Sequence, residues 1–321
     1  MDNAAISYFS APAWLASDRA RGLPQSLLLE AAADSLAAAW SERLVRLWLC
    51  HRAAEEACGT CPSCQLLDAG NHPDYLTLQA SNGKTLGIEQ IREALDVLAY
   101  TPQSGPLRVL RIIAAEQMSM AAANALLKGL EEPPLRARIL LLSAAPVRLL
   151  PTIRSRCQRL ESPLHEVDAC ARYLRAQGVD AADVNALAQR YADRPARALE
   201  LVNSGVWPEL QEAQTQLLSK TPRLELLWRL VGQWSKDEER VLLLRELMLG
   251  LYTQIFRLQQ GLETSLRAQA LSTRAASWSP TQLWKEYQAW LRLAVDLRQN
   301  LQIPMRLERL LWCWFWGERE E

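Results

Sequence analysis

Two short, near-continuous apolar blocks lie in the middle of the chain, at residues 107–113 (LRVLRII) and 139–143 (ILLLS). Neither block alternates apolar with polar residues. That pattern predicts strands buried on both faces, as in a parallel sheet covered by helices. Residues 121–130 between them are rich in helix formers. Glu131-Glu132-Pro133-Pro134 ends that helix, because proline cannot continue one. A third block, residues 25–30 (QSLLLE), follows Gly22 and Pro24 and predicts the first strand. Residues 34–50 predict an amphipathic helix with Asp34 as its N-cap. His72-Pro73-Asp74 predicts a turn leading into a strand over 75–78. Residues 87–99 predict a second amphipathic helix, with Ile88, Ile91, Leu95 and Leu98 on one face. Residues 149–157 predict a short polar turn that delivers Arg154 and Arg156 beyond the carboxyl end of the 139–143 strand. Open α/β sheets place their phosphate chemistry at that edge.

The texture changes at Pro163. Residues 166–177, 181–192 and 194–203 predict three short helices broken at Gly178 and Pro195. From about Val206 the pattern is almost wholly helical, and nine of the twelve tryptophans lie there. Leu224, Leu227, Trp228 and Val231 form one stripe, residues 241–258 a second, and Leu283, Trp284, Tyr287, Leu291, Ala294 and Leu297 a third. Aromatic residues at helical spacing predict core. Residues 310–316 (LLWCWFW) are apolar around most of a helix and must be buried, by their own domain or by a neighbour. The fold class expected is α/β followed by all-α.

Composition narrows the function. The 321 residues carry a formal net charge of zero, without the basic surplus of a free-standing nucleic-acid binder. There is no uncharged apolar run of membrane-spanning length. Met1-Asp2-Asn3-Ala4 lacks the features of a signal peptide. A cytoplasmic protein is expected, and its seven cysteines then read as thiols or metal ligands rather than disulfides.

Four of those cysteines, Cys50, Cys58, Cys61 and Cys64, fall within fifteen residues as C-x7-C-x2-C-x2-C. The spacing suits one tetrahedral, all-thiolate zinc ion, with Gly59 and Pro62 supplying the turns that let the sulfurs converge. Four protein ligands leave no position for an activated water, so such a zinc is structural. Unliganded thiols or a redox CxxC pair are the alternatives. His72 is a further conceivable ligand, but the shell is already full, which favours a loop-capping role.

The loop after the first strand is informative for what it lacks. A phosphate-binding loop uses glycines and ends in Lys-Ser/Thr. Residues 31–37 here read AAADSLA. Without glycine or lysine, and with Asp34 where an anion would approach, this loop opposes phosphate binding. No bound ATP is expected.

Residues 123–128 (ANALLK), 130–134 (LEEPP) and 155–157 (SRC) together resemble the bacterial clamp-loader branch of the AAA+ proteins, specifically so over roughly residues 22–163. The resemblance implies an AAA+ P-loop-type parallel sheet over 1–163 with a four-cysteine zinc module (50–64) inserted after its first helix. It implies a small helical lid over 164–205 and a C-terminal helical collar domain over 206–321. Arg156 would be the arginine finger, acting in trans at the ATP site of the next subunit. A permanently charged guanidinium suits that role. The residue could instead be an ordinary surface arginine, or pair with Glu131 or Glu132. ATPases of this family end the central strand in Asp-Glu; those positions fall at Ile113 and Ala114, so both carboxylates are missing. Glu116 is the nearest acid and reads as a solvated glutamate rather than a displaced base. An arginine that contacts nucleotide in the active members would fall at Arg194 or Arg197, both read here as structural.

The implied partners are other clamp-loader subunits, the gamma/tau ATPases and delta, in a hetero-pentamer, with the sliding clamp and primed DNA reached through the complex and no membrane. The chain alone is expected to lack ATPase activity. Two other readings are a divergent but active clamp-loader ATPase and a zinc-stabilised interaction scaffold outside replication. A general hydrolase is poorly supported: there are three histidines, no HExxH and no G-x-S-x-G.

Overall fold

The computed structural model describes residues 7–9, 11–15, 22–53, 56–80, 85–160, 166–219, 223–262, 271–272, 275–298 and 302–316. The boundary expected at 163/164, His165, residues 1–4 and the side chain of Leu227 lie outside what is described. The chain divides into two compact units, Met1–Glu200 and Leu201–Glu321.

The first unit is built on five strands: β1 (Ser26–Glu30), β2 (Tyr75–Gln79), β3 (Arg108–Ile113), β4 (Ala137–Ser143) and β5 (Gln158–Leu160). They pair in the order β2-β3-β4-β1-β5, and every pairing is parallel. Parallel neighbours require crossovers, and helices supply them. On one face, Leu28, Leu110, Ile112, Ile139 and Leu141 pack against α3 (Ile88–Ala99), α4 (Met120–Glu131) and α5 (Pro151–Arg156). On the other, Arg111 of β3 reaches α1 (Leu36–Leu49) and donates to the Ala38 carbonyl and Ser41 Oγ, both at 2.8 Å. Both faces are therefore covered, which is why the strands read as continuous apolar runs.

The expected N-cap of α1 is corrected by one residue. Ser35 Oγ, not Asp34, accepts from the Ala38 N–H at 3.2 Å. Both are capping types, and sequence alone does not choose between neighbours. A larger correction concerns residues 149–157. They form the short helix α5 rather than a polar turn, and it runs from the end of β4 back toward the start of β5. Gln158 pairs opposite Leu27, so Arg156 sits at the amino ends of the strands, not the carboxyl edge. A parallel crossover must return the chain to the starting edge.

Three helices follow, α6 (Val167–Ala176), α7 (Ala181–Arg190) and α8 (Pro195–Asn203). The second unit is helical, with α9 (Val206–Leu218), α10 (Leu224–Trp234), α11 (Glu238–Gln259), α12 (Pro280–Arg298) and α13 (Ile303–Trp316). Trp234, Trp290, Trp314 and Tyr252 are among its fully buried side chains. Trp314 and Tyr252 meet edge-on at 5.1 Å, and Trp314 Nε1 donates to the Leu217 carbonyl at 3.0 Å. One apolar expectation is revised, and another is met in part within the chain itself. On α12 the buried face carries Leu283, Trp290 and Leu293, while Trp284 is exposed. On α13 Leu310, Leu311, Cys313 and Trp314 are buried, but Trp312 and Trp316 are exposed and lie against one another, ring centroids 4.3 Å apart. Among the described residues no helix is long and apolar enough to cross a membrane.

Candidate functional site

The thiol cluster is assembled by the end of α1 and the start of the next helix. Cys50 is the C-cap of α1, where the chain turns extended. Cys61 is the N-cap of α2 (Pro62–Asp68), and Cys64 lies in its first turn. Pro62 at the first helical position loses no helical hydrogen bond. Gly59, at a φ of 68°, makes the left-handed bend between Cys58 and Cys61 at low cost. The sulfurs of Cys50, Cys58, Cys61 and Cys64 all lie within 4.8 Å of one another. Cys50 and Cys61 are 3.9 Å apart, close to the ~3.8 Å edge of a tetrahedron with metal–sulfur bonds of ~2.3 Å.

Backbone amides point at the sulfurs. Arg52 and Cys58 N–H donate to Cys50 Sγ at 3.4 and 3.3 Å, and Cys61 N–H donates to Cys58 Sγ at 3.4 Å. Such bonds favour thiolate over thiol. Hydrogen bonds from Thr60, then Cys61, lower the Cys58 thiol to about 6, whereas burial pushes Cys64 up to about 12. A bound cation would deprotonate all four, so the residues present fit a metal ion. The module is pinned to the unit. Ser63 Oγ donates to the Leu49 carbonyl at 2.6 Å, His51 Nε2 meets the Ser104 carbonyl at 2.6 Å, and Arg43–Glu56 and Arg46–Asp68 ion pairs tie it to α1.

His72 is a loop-capping residue. Ser63 spends its hydroxyl proton on Leu49, so His72 Nε2–H donates to Ser63 Oγ at 2.8 Å, and Nδ1 accepts from Asp74 N–H at 3.1 Å. Both ring nitrogens are thus satisfied in the neutral form. Asp74, fully buried, accepts from Gln103, Ser104 and Gly105 N–H at 2.6–3.0 Å and pairs with Arg108 at 3.4 Å.

At the loop after β1 the chain satisfies itself. Of the first three amides of α1, Leu36 donates to the Asp193 carbonyl at 2.7 Å and Ala38 to Ser35 Oγ. Ser35 Oγ also donates to the Ala32 carbonyl at 2.7 Å. Arg194 lies 3.9 Å from the Asp34 carboxylate, and Arg197 pairs with Glu200 at 2.7 Å. A helix start offers an anion its unpaired N–H groups, and two of those are already taken. The neighbouring strand ends carry bonds of their own. Glu116 is half-buried and accepts from Ser143 Oγ at 2.6 Å, and the Ser143 carbonyl accepts from Ala31 N–H at 2.9 Å. Ala114 turns the chain there at a φ of 53°, a conformation that costs a non-glycine residue about 1–2 kcal/mol.

Arg156 ends α5, anchored by the buried Ile153 before it and Cys157 after it. Its Nη2 is 2.7 Å from Glu131 Oε1, and its Nη1 donates to the Thr152 carbonyl at 3.0 Å. The side chain is nevertheless 36% exposed, and that of Glu131 49%. The pairing with Glu131 that the sequence allowed is therefore present, but at the surface. Exposed pairs of this kind contribute ~0–1 kcal/mol, and the solvent-facing part of the guanidinium stays open to an anion. Arg154 is half-buried, on the same short helix. Asp193 was missed at the sequence level because it acts through its backbone carbonyl, and Ser143 because an apolar strand hides its hydroxyl.

Residues 13–164 match the family model described as DNA polymerase III, delta subunit. Over 168 residues the chain is 42% identical to DNA polymerase III subunit delta′ of Pseudomonas aeruginosa, covering 52% of this chain and 46% of that protein. Over 117 residues it is 44% identical to the Escherichia coli K12 subunit of the same name, covering 36% and 35%. DNA polymerase III subunit tau/gamma of Haemophilus influenzae is 36% identical over 107 residues, 33% of this chain and 15% of that one. These matches span less than half the length of the curated relatives.

Proposed function

We propose that this chain belongs to the DNA polymerase III delta-prime family of clamp-loader proteins and is a clamp-loader subunit that binds zinc but not ATP and lends Arg156 to a neighbouring ATPase. The observation that carries this reading is the closed start of α1, where Asp193 and Ser35 occupy amides that a triphosphate would need. Without a nucleotide of its own, the chain is a fixed end-piece, a stator. Its contribution to hydrolysis lies in Arg156, which completes a site held mostly by the adjacent subunit. An arginine supplied in trans stabilises charge on the transferring γ-phosphoryl group and is worth on the order of 10³-fold or more at the site it serves. The adjacent subunits are gamma/tau ATPases and delta in a hetero-pentamer, which opens the sliding clamp and sets it on primed DNA in the cytoplasm. Through that complex the chain is part of the DNA polymerase holoenzyme.

Zinc would be held by Cys50, Cys58, Cys61 and Cys64, where it cross-links the end of α1 to the start of α2. It takes no part in hydrolysis.

Mixing the chain with the tau/gamma and delta subunits of its own organism tests the assignment. A stable complex is expected, with hydrolysis stimulated by primed DNA. Arg156→Ala should assemble normally and remove the share of hydrolysis due to the site it faces. The isolated chain should show no saturable uptake of labelled Mg-ATP. Uptake of Mg-ATP, or hydrolysis indifferent to Arg156→Ala, would refute the reading.

A further inference from the structure

Glu131 stands at the last residue of α4, and Glu132 follows it. Carboxylates are disfavoured at a helix C-terminus, where the backbone dipole is already negative. A local rule broken at the surface points to a role beyond the stability of that residue's own element. Here the departure is answered by Arg156, whose Nη2 lies 2.7 Å from Glu131 Oε1.

Both partners sit on stiff supports. α4 is fixed to the sheet core through Leu126 and Leu130. Just beyond it the Pro134 carbonyl accepts from Gln25 Nε2 at 2.8 Å and from Ala137 N–H at 2.9 Å. α5 is fixed through Ile153, fully buried in the same core. The guanidinium itself has five N–H donors. The Thr152 carbonyl engages one of them, and the Glu131 carboxylate is ion-paired beside Nη2.

We infer that Glu131 is a positioning residue for Arg156: its carboxylate and the Thr152 carbonyl clamp part of the guanidinium, so that its remaining donors are oriented before the neighbouring nucleotide arrives. The inference rests on the trans-acting role proposed for Arg156. A long arginine side chain without such a clamp samples many rotamers, and ordering it on arrival lowers the rate. Glu131 does not touch the nucleotide.

The reconstituted complex with tau/gamma and delta subunits provides the test, with ATP hydrolysis on primed DNA as the readout. The Arg156-dependent rate is the part lost in Arg156→Ala. Glu131→Ala should lower that part about twofold to fivefold, with the KM for ATP unchanged and assembly intact. Glu131→Gln keeps an acceptor oxygen and should recover some of the loss; it also carries the comparison if Glu131→Ala assembles poorly. Adding Glu131→Ala to Arg156→Ala should change nothing further, because the two act as one unit. If Arg156→Ala impairs hydrolysis while Glu131→Ala and Glu131→Gln match the native chain, positioning is overturned and the trans-acting role survives. Faster hydrolysis in Glu131→Ala would also overturn it, by showing a carboxylate that competes with phosphate. If Arg156→Ala itself has no effect, both readings fall.

Discussion

A single histidine shows how burial becomes pH dependence. His72 is buried, with Nδ1 accepting a backbone N–H and Nε2 donating to Ser63. Burial lowers its affinity for a proton below the ordinary value of 6.5, since imidazolium is poorly solvated there and would lose the acceptor at Nδ1. The unfolded chain therefore binds that proton more readily than the folded one. Stability contributed by His72 is complete well above pH 6.5 and is lost as pH falls through that value toward the folded one. Urea melts of native chain and His72→Gln between pH 7.5 and 5.5 should differ in slope, the native chain losing stability more steeply on acidification. Parallel pH profiles would refute the assignment. Nearby Asp74 shows the opposite balance. Burial alone would raise its pKa, but the N–H groups of Gln103, Ser104 and Gly105 outweigh burial and hold it below the usual carboxylate range.

Among the elements, α1 separates two candidate caps one residue apart. Ser35→Ala removes the acceptor of the Ala38 amide and should cost about 1 kcal/mol. Asp34→Ala removes only an exposed partner of Arg194 and should cost roughly 0–1 kcal/mol, near the lower end. Equal losses in denaturant titrations would contradict the Ser35 cap. The same element shows what the sequence made legible. Residues 26–30, 108–113 and 137–143 stand out as strands because both faces of each are largely buried, so most of their side chains are apolar. The four thiols stand out because metal geometry dictates their spacing. β5 was not legible: it has three residues, and only Leu160 is buried. Nor was α5, since six residues carry too little periodicity. α12 was misread by rotation, because its apolar residues occur on more than one side and leave the buried face undetermined. The Arg156–Glu131 contact was foreseen only as one alternative, since twenty-four residues of intervening chain must fold before the two meet.

The chain divides into two compact units, and the candidate sites fall in the first. The apolar cluster between sheet and helices draws every member from residues 28–157, and the thiol cluster lies between Cys50 and Cys64. Nothing in that cluster requires Leu201–Glu321. A fragment ending at Gly205, where a φ of 71° turns the chain into α9, should therefore fold cooperatively and bind about one zinc per chain. Removing that metal with a chelator, or by Cys61→Ser, should act locally. The sulfurs then lose the ion that holds them together, but Ser63–Leu49, His51–Ser104 and the α1 ion pairs still tether the module. Hydrogen exchange should accelerate over residues 50–68, while β1, β3 and β4 keep their protection, because their amides are paired within the sheet. Loss of protection throughout the sheet on chelation would mean that the metal sustains the core rather than one corner of it. A fragment with no cooperative transition would mean that the first unit depends on the second.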